Sequence, residues 1–135
     1  MDDVEFAEGL ETVLRDLRAQ CAVRPRIRVD DKYGIMLHAP DGSGQGLTSP
    51  QGGTAAERLA NLADQAQEWA VEALWSEGAP AVWPNCPAHP DTHPLTATVV
   101  ADTAVWACPK TGATVARIGE LAGRPSLPST APAGS

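Results

Sequence analysis

Between residues 83 and 112 the chain reads Trp-Pro-Asn-Cys86-Pro-Ala-His89-Pro-Asp-Thr-His93-Pro, and closes with Cys108-Pro-Lys-Thr111-Gly112. Two of the three cysteines and two of the three histidines fall in this stretch. The spacing is Cys-x2-His-x3-His-x14-Cys, and the flanking prolines stiffen the backbone that carries the donors. Thiolate and imidazole side chains gathered in this way are the donor set of a metal ion. The pattern therefore predicts a site made by Cys86, His89, His93 and Cys108. A disulfide between Cys86 and Cys108 is the competing use of the thiols, and a reducing compartment disfavours it.

Around this segment the chain is one ordinary domain in length, at 135 residues, with 43% apolar and 20% charged residues. Its composition excludes a polar disordered chain, and no run of 18 apolar residues offers a membrane span. The acidic start, Met-Asp-Asp-Val-Glu, lacks the basic and apolar regions of a secretory signal, so the expected location is cytoplasmic. The net charge is −7, and residues 1–85 hold 14 acidic residues against seven Arg and Lys. The one basic candidate surface is Arg24, Arg26 and Arg28, three alternate positions followed at once by Asp30 and Asp31. That pattern reads as a solvated strand face with local ion pairs.

The N-terminal part alternates helical and extended periodicities. Phe6, Leu10, Val13, Leu14, Leu17 and Cys21 recur every three or four residues as one helical stripe, with Asp2, Asp3, Glu5 and Glu8 at its positive end. Residues 26–30 alternate with Ile27 and Val29 on one side, and Tyr33, Ile35 and Leu37 alternate after a polar turn at residues 30–32. The pair predicts a β-hairpin covered by the helix. Residues 40–53 are a Gly/Ser/Pro loop. It lacks the final Glu of a calcium loop and the Lys-Ser/Thr of a phosphate loop. Thr54 and Glu57 form a capping box for a second helix, lined by Leu59, Leu62, Ala66, Trp69, Ala70 and Ala73 and stopped by Gly78 and Pro80. Residues 95–100, 104–107 and 113–118 are rich in Val and Thr and predict three strands. Residues 123–135 are a Pro/Ser/Ala tail expected to be disordered. No internal repeat is visible.

Cys86-Pro-x-His89 and Cys108-Pro-x-Thr111-Gly resemble the paired knuckles of the zinc-ribbon family, over about residues 83–119. The Trp-Pro-x-Cys-Pro-x-His segment is also similar to one in small uncharacterised actinobacterial proteins, a likeness that implies no activity. The ribbon resemblance implies two hairpin knuckles sharing a structural Zn²⁺, with Cys86, His89 and Cys108 at ligand positions. Thr111 departs from that pattern, because a hydroxyl is a poor zinc ligand, and His93 is the candidate for the fourth place. Zinc suits the mixed set better than iron, whose sulfur sites use four thiolates.

With His93 bound the shell is closed and structural. With His93 free, Cys86, His89 and Cys108 make an open site able to activate water, with Asp91 as its candidate base. The His-x-Glu and Pro-Cys-x-x-Cys pattern of zinc deaminases is absent. His38 reads as a surface residue at a strand end.

The sequence thus predicts an α+β protein: helix, β-hairpin, helix and a C-terminal three-stranded zinc-ribbon-like sheet. Residues 1–82 form the N-terminal part, 83–122 the ribbon packed on it, and 123–135 the tail. The expected function is a non-enzymatic, zinc-stabilised adaptor whose partner is another protein. A small zinc-dependent hydrolase is the alternative, and a nucleic-acid-binding ribbon the third reading. Residues 86–135 carry no net charge, which argues against nucleic acid. Titration with DNA or RNA at physiological salt is expected to show nothing tighter than about micromolar, and nanomolar, sequence-specific binding would contradict this.

Overall fold

A computed structural model describes residues 1–21, 23–31, 34–90 and 92–123. Lys32 of the expected turn, Tyr33 of the expected strand, Asp91 and the expected tail from residue 124 onward lie outside the described residues. The protein is α+β, with two helices and two three-stranded antiparallel sheets.

Helix α1 spans Asp3–Gln20, and the Asp2 carboxylate caps it by accepting from the Glu5 amide at 2.7 Å. Leu10, Val13, Leu14 and Leu17 are buried along the expected stripe, and Cys21 is buried at its C-terminal end. Helix α2 spans Ala55–Ser76 and carries the Thr54–Glu57 capping box in both directions. Leu62, Ala63, Ala66, Trp69, Ala70 and Ala73 form its buried face. A forked ion pair from Arg58 to Glu5, at 2.9 and 3.2 Å, ties the two helices together near their N-termini.

The first sheet has the order β1 (Arg26–Asp30), β2 (Gly34–His38) and β3 (Gly44–Gly46). Two features differ from expectation. The loop at residues 40–53 contributes β3, whose Gly-Gln-Gly composition carries no strand preference; the free edge of β2 supplies its ladder. Ile27 and Val29 do share a face with Leu37 and Ile35, but the helices do not cover them. Val29 is 79% exposed and Ile27 40%, whereas Leu37 is fully buried. The edge strand β1 overhangs the core.

The second sheet runs β4 (Thr96–Val100), β5 (Thr103–Ala107) and β6 (Thr114–Arg117), in that order. Ala101 and Asp102 both have positive φ, the backbone of the two-residue turn that matches hairpin twist. Strands β4 and β5 lie against α2, and a short 3-10 turn at Leu121–Gly123 lies against α1. Side chains from both sheets and both helices belong to one hydrophobic cluster. Trp83 seals the passage from α2 to the second sheet, whereas Trp75 is 75% exposed.

Among the described residues, one charged side chain is buried with this cluster. Asp16 of α1 is fully buried, and its carboxylate accepts from Trp106 Nε1 at 2.8 Å, Gly119 N at 2.6 Å and Leu121 N at 3.0 Å. Burial pushes its pKa above the ordinary carboxylate value, opposed by these three donors and by Arg15. Asp16→Ala leaves three buried N–H groups without an acceptor. It is expected to lower stability by about 3 kcal/mol in denaturant unfolding, and a loss below about 1 kcal/mol would refute this role.

Candidate metal centre

The ligand-bearing segment is a loop pinched at its base. Leu95 N donates to Pro84 O at 2.8 Å, Asn85 and Pro94 form an isolated bridge, and the Trp83–Pro84 peptide is cis. Within the loop His89 N donates to Cys86 O at 3.0 Å and Thr92 N to His89 O at 3.2 Å. These successive turns return the chain on itself. Each of Cys86, His89, His93 and Cys108 directly precedes a proline. The proline ring disfavours helical backbone at the residue before it, so each donor residue has fewer conformations to lose.

Cys108 enters from the other side, on the turn between β5 and β6. Gly112 N donates to Cys108 O and Cys108 N to Ala113 O, both at 2.8 Å. Gly112 has φ +77°, a left-handed conformation that glycine adopts without strain. The β5–β6 register shifts at Trp106 and Ala107, immediately before the thiol.

The structure brings Cys86, His89, His93 and Cys108 into one group, with ligand atoms all within 4.8 Å of one another. His89 Nδ1 lies 3.5 Å from Cys86 Sγ, 3.8 Å from Cys108 Sγ and 3.1 Å from His93 Nε2. Both cysteines are buried and both histidines half-buried. His93 Nδ1 lies 3.2 Å from Pro94 O; donating to that carbonyl leaves Nε2 with its lone pair turned into the group. This Cys2His2 cluster could hold a metal ion.

Thr111 acts on the cluster without belonging to it. Its hydroxyl, followed by the Thr111 and Lys110 amides and the Cys86 thiol, stabilises the Cys108 thiolate and lowers its pKa to about 6, against the opposing effect of burial. The thiolate is the metal-binding form, so the residue that breaks the knuckle pattern serves the neighbouring sulfur as a donor. Cys21 stands outside the group, its thiol pushed up by burial. All three cysteines are free. Asp91, the candidate base of an open site, lies outside the described residues.

Gln67 is the residue that sequence reasoning overlooks. From α2 its Nε2 donates to Leu95 O at 2.6 Å and Trp83 O at 3.1 Å, holding both ends of the ligand loop. Its only signal in the sequence is a polar residue bordering the apolar stripe at Ala66 and Ala70. Trp83 in turn packs edge-to-face on Trp106, with ring centroids 5.4 Å apart.

Among the described residues, no helix is long and apolar enough to cross a membrane. Comparison of the chain with family models, curated proteins and solved structures finds no match.

Gln67→Leu removes both donations while keeping the side chain's bulk. The expected result is a loss of about 2 kcal/mol, because two carbonyls at the loop base lose their partner. Urea unfolding measures it, and an unchanged midpoint would remove Gln67 from the support of the site.

Proposed function

We propose that Cys86, His89, His93 and Cys108 bind one Zn²⁺ and that the ion is structural. It joins the loop before β4 to the β5–β6 turn as a ribbon-like part, residues 83–122, packed on residues 1–82. The separations of His89 Nδ1 from the other three donor atoms carry this reading. Tetrahedral zinc, with bonds of about 2.3 Å to sulfur and about 2.05 Å to nitrogen, sets S···N separations of about 3.6 Å and N···N separations of about 3.3 Å. The separations of 3.5, 3.8 and 3.1 Å differ from these by roughly 0.2 Å or less. Two thiolates with two imidazoles suit zinc, whereas calcium and magnesium take oxygen ligands.

His93 supports a scaffold over a hydrolase. With it in the group, four donors complete a tetrahedral shell and leave no coordination position for a reacting water. The ion supplies folding energy: roughly 10–16 kcal/mol in small zinc modules, comparable to the entire stability of a domain. The protein then acts as a non-enzymatic interaction or adaptor protein of the cytoplasm, where thiols stay reduced. A protein partner fits the exposed Val29, Ile27 and Trp75, which are apolar surfaces of the kind another protein covers.

Protein purified without added metal is expected to carry one zinc per chain by elemental analysis. His93→Ala should lower zinc affinity and Tm together. Sharing the binding energy among four ligands puts the loss near 3 kcal/mol, on the order of a hundredfold. Cys86→Ser and Cys108→Ser should be more severe, and Thr111→Cys should partly rescue His93→Ala by completing a second knuckle. A folded, metal-free protein with freely titrating Cys86 and Cys108 would overturn the zinc reading. If His93→Ala leaves zinc and Tm untouched, the site is open or completed by another residue, and an exchangeable water on the metal after cobalt substitution would then favour the hydrolase.

A further inference from the structure

The first sheet presents a second constellation, far simpler in chemistry than the cysteine cluster. Arg26 and Arg28 alternate along β1, so they share the face opposite Ile27 and Val29. The register pairs Arg26 with His38 and His38 with Gly44, which places Arg26 and His38 in one row on that face. Arg26, Arg28, His38, Ala39 and Gly42 line a cavity of about 240 Å³. Neither guanidinium has an ion-pair or hydrogen-bond partner among the described residues. Asp41, the nearest acid of the adjoining loop in sequence, is engaged by Ser43 N at 2.8 Å and Ser43 Oγ at 2.6 Å.

The imidazole is seated rather than adrift. A Cβ at Gly44 would fall 2.8 Å from His38 Cε1 and 2.9 Å from Nδ1, so only glycine leaves room for the ring there. His38 Nδ1 lies 3.5 Å from Gly42 O, a long contact that turns the same edge of the ring toward the loop backbone. Two guanidiniums with no partner among the described residues and a positioned imidazole thus surround one concave space on a chain of net charge −7.

We infer that this face binds a small phosphate monoester. A guanidinium offers two parallel N–H donors matched to two oxygens of a phosphoryl group, so two guanidiniums can meet all three oxygens of a dianion, and His38, with Nδ1 toward Gly42 O, adds a donor at Nε2 in its doubly protonated form. The space equals about eight waters at roughly 30 Å³ each, enough for a phosphoryl group and part of its ester substituent. A polyanion fits worse. Each phosphate beyond the cavity meets the repulsion of the −7 chain, whereas a small dianion is held by contacts within the screening length of about 8 Å. A carboxylate has one charge and two oxygens, and leaves a donor unused. This site is separate from the metal centre and does not rest on the zinc reading.

Titration of the isotope-labelled full-length protein, as purified, tests the assignment at fixed ionic strength. The probes are phenyl phosphate, benzoate and a twelve-nucleotide single strand, read on the amides of Arg26, Arg28, His38 and Gly42. Phenyl phosphate should give saturable shifts at these amides, with benzoate and the oligonucleotide at least tenfold weaker. R26A/R28A should weaken phenyl phosphate at least tenfold with Tm and zinc content unchanged, which separates this result from any failure of the metal site. G44A, which displaces the His38 ring with both arginines intact, should weaken it severalfold. If the double variant does not fold, G44A and H38Q carry the same test. Absence of saturation, unchanged affinity in the variants, equal binding of benzoate or tighter binding of the oligonucleotide would each overturn the assignment.

Discussion

Asp16 is a carboxylate in an apolar interior, and its hydrogen bonds tie α1 to Trp106 of β5 and to the chain after β6. It takes the indole N–H of Trp106 from β5 and two amides from the chain after β6. A buried carboxylate is costly unless donors satisfy it, so the arrangement holds together as a unit or not at all. Trp106 extends it, standing edge-on to Trp83 in a pairing worth about 0.5–1.5 kcal/mol beyond burial. Trp83 lies three residues before Cys86 and Trp106 two residues before Cys108. Each half of the cysteine–histidine cluster therefore starts from one member of the tryptophan pair.

This mechanical path explains how an irregular loop can present donors in a defined geometry. The described residues between 84 and 95 hold no helix or strand, only turns and an isolated bridge. Gln67 clamps the loop base to α2, and a proline after each of Cys86, His89, His93 and Cys108 restricts the backbone that carries them. Thr111 and its neighbouring amides stabilise the Cys108 thiolate in advance. Under the zinc proposal, part of the ordering entropy has already been met by protein contacts.

The division of labour between the two sheets follows from burial. The second sheet lies on α2, and its β5 is almost wholly buried, which suits the structural role proposed for the cluster. The first sheet leaves β1 in solvent, with an apolar overhang on one face and the Arg26, Arg28 and His38 cavity on the other. Recognition is more readily built on such a surface, because its groups can meet a partner without unpacking the core.

Much of this was legible in local pattern. The stripe from Leu10 to Leu17, the Thr54–Glu57 box, three C-terminal strands and the donors at 86, 89, 93 and 108 all follow from spacing over a few residues, where backbone geometry alone links neighbours. Alternation also put Ile27 and Val29 on the right face, but it could not say how far the core extends beneath them. Depth of burial is a collective property of the packed elements, and β1 lies at the edge. Strand β3 escaped for a similar reason: Gly44–Gly46 pairs because β2 offers an edge. The local turns account for Cys86, His89 and His93 being near one another. Their meeting with Cys108 required the β4–β5 hairpin to return the chain across fourteen residues, a closure fixed by the packing of Trp106 and Asp16. Asp16 itself, ninety residues from the indole it holds, looks in sequence like any acid on a helix, because the partners that make it structural are assembled only by the tertiary fold.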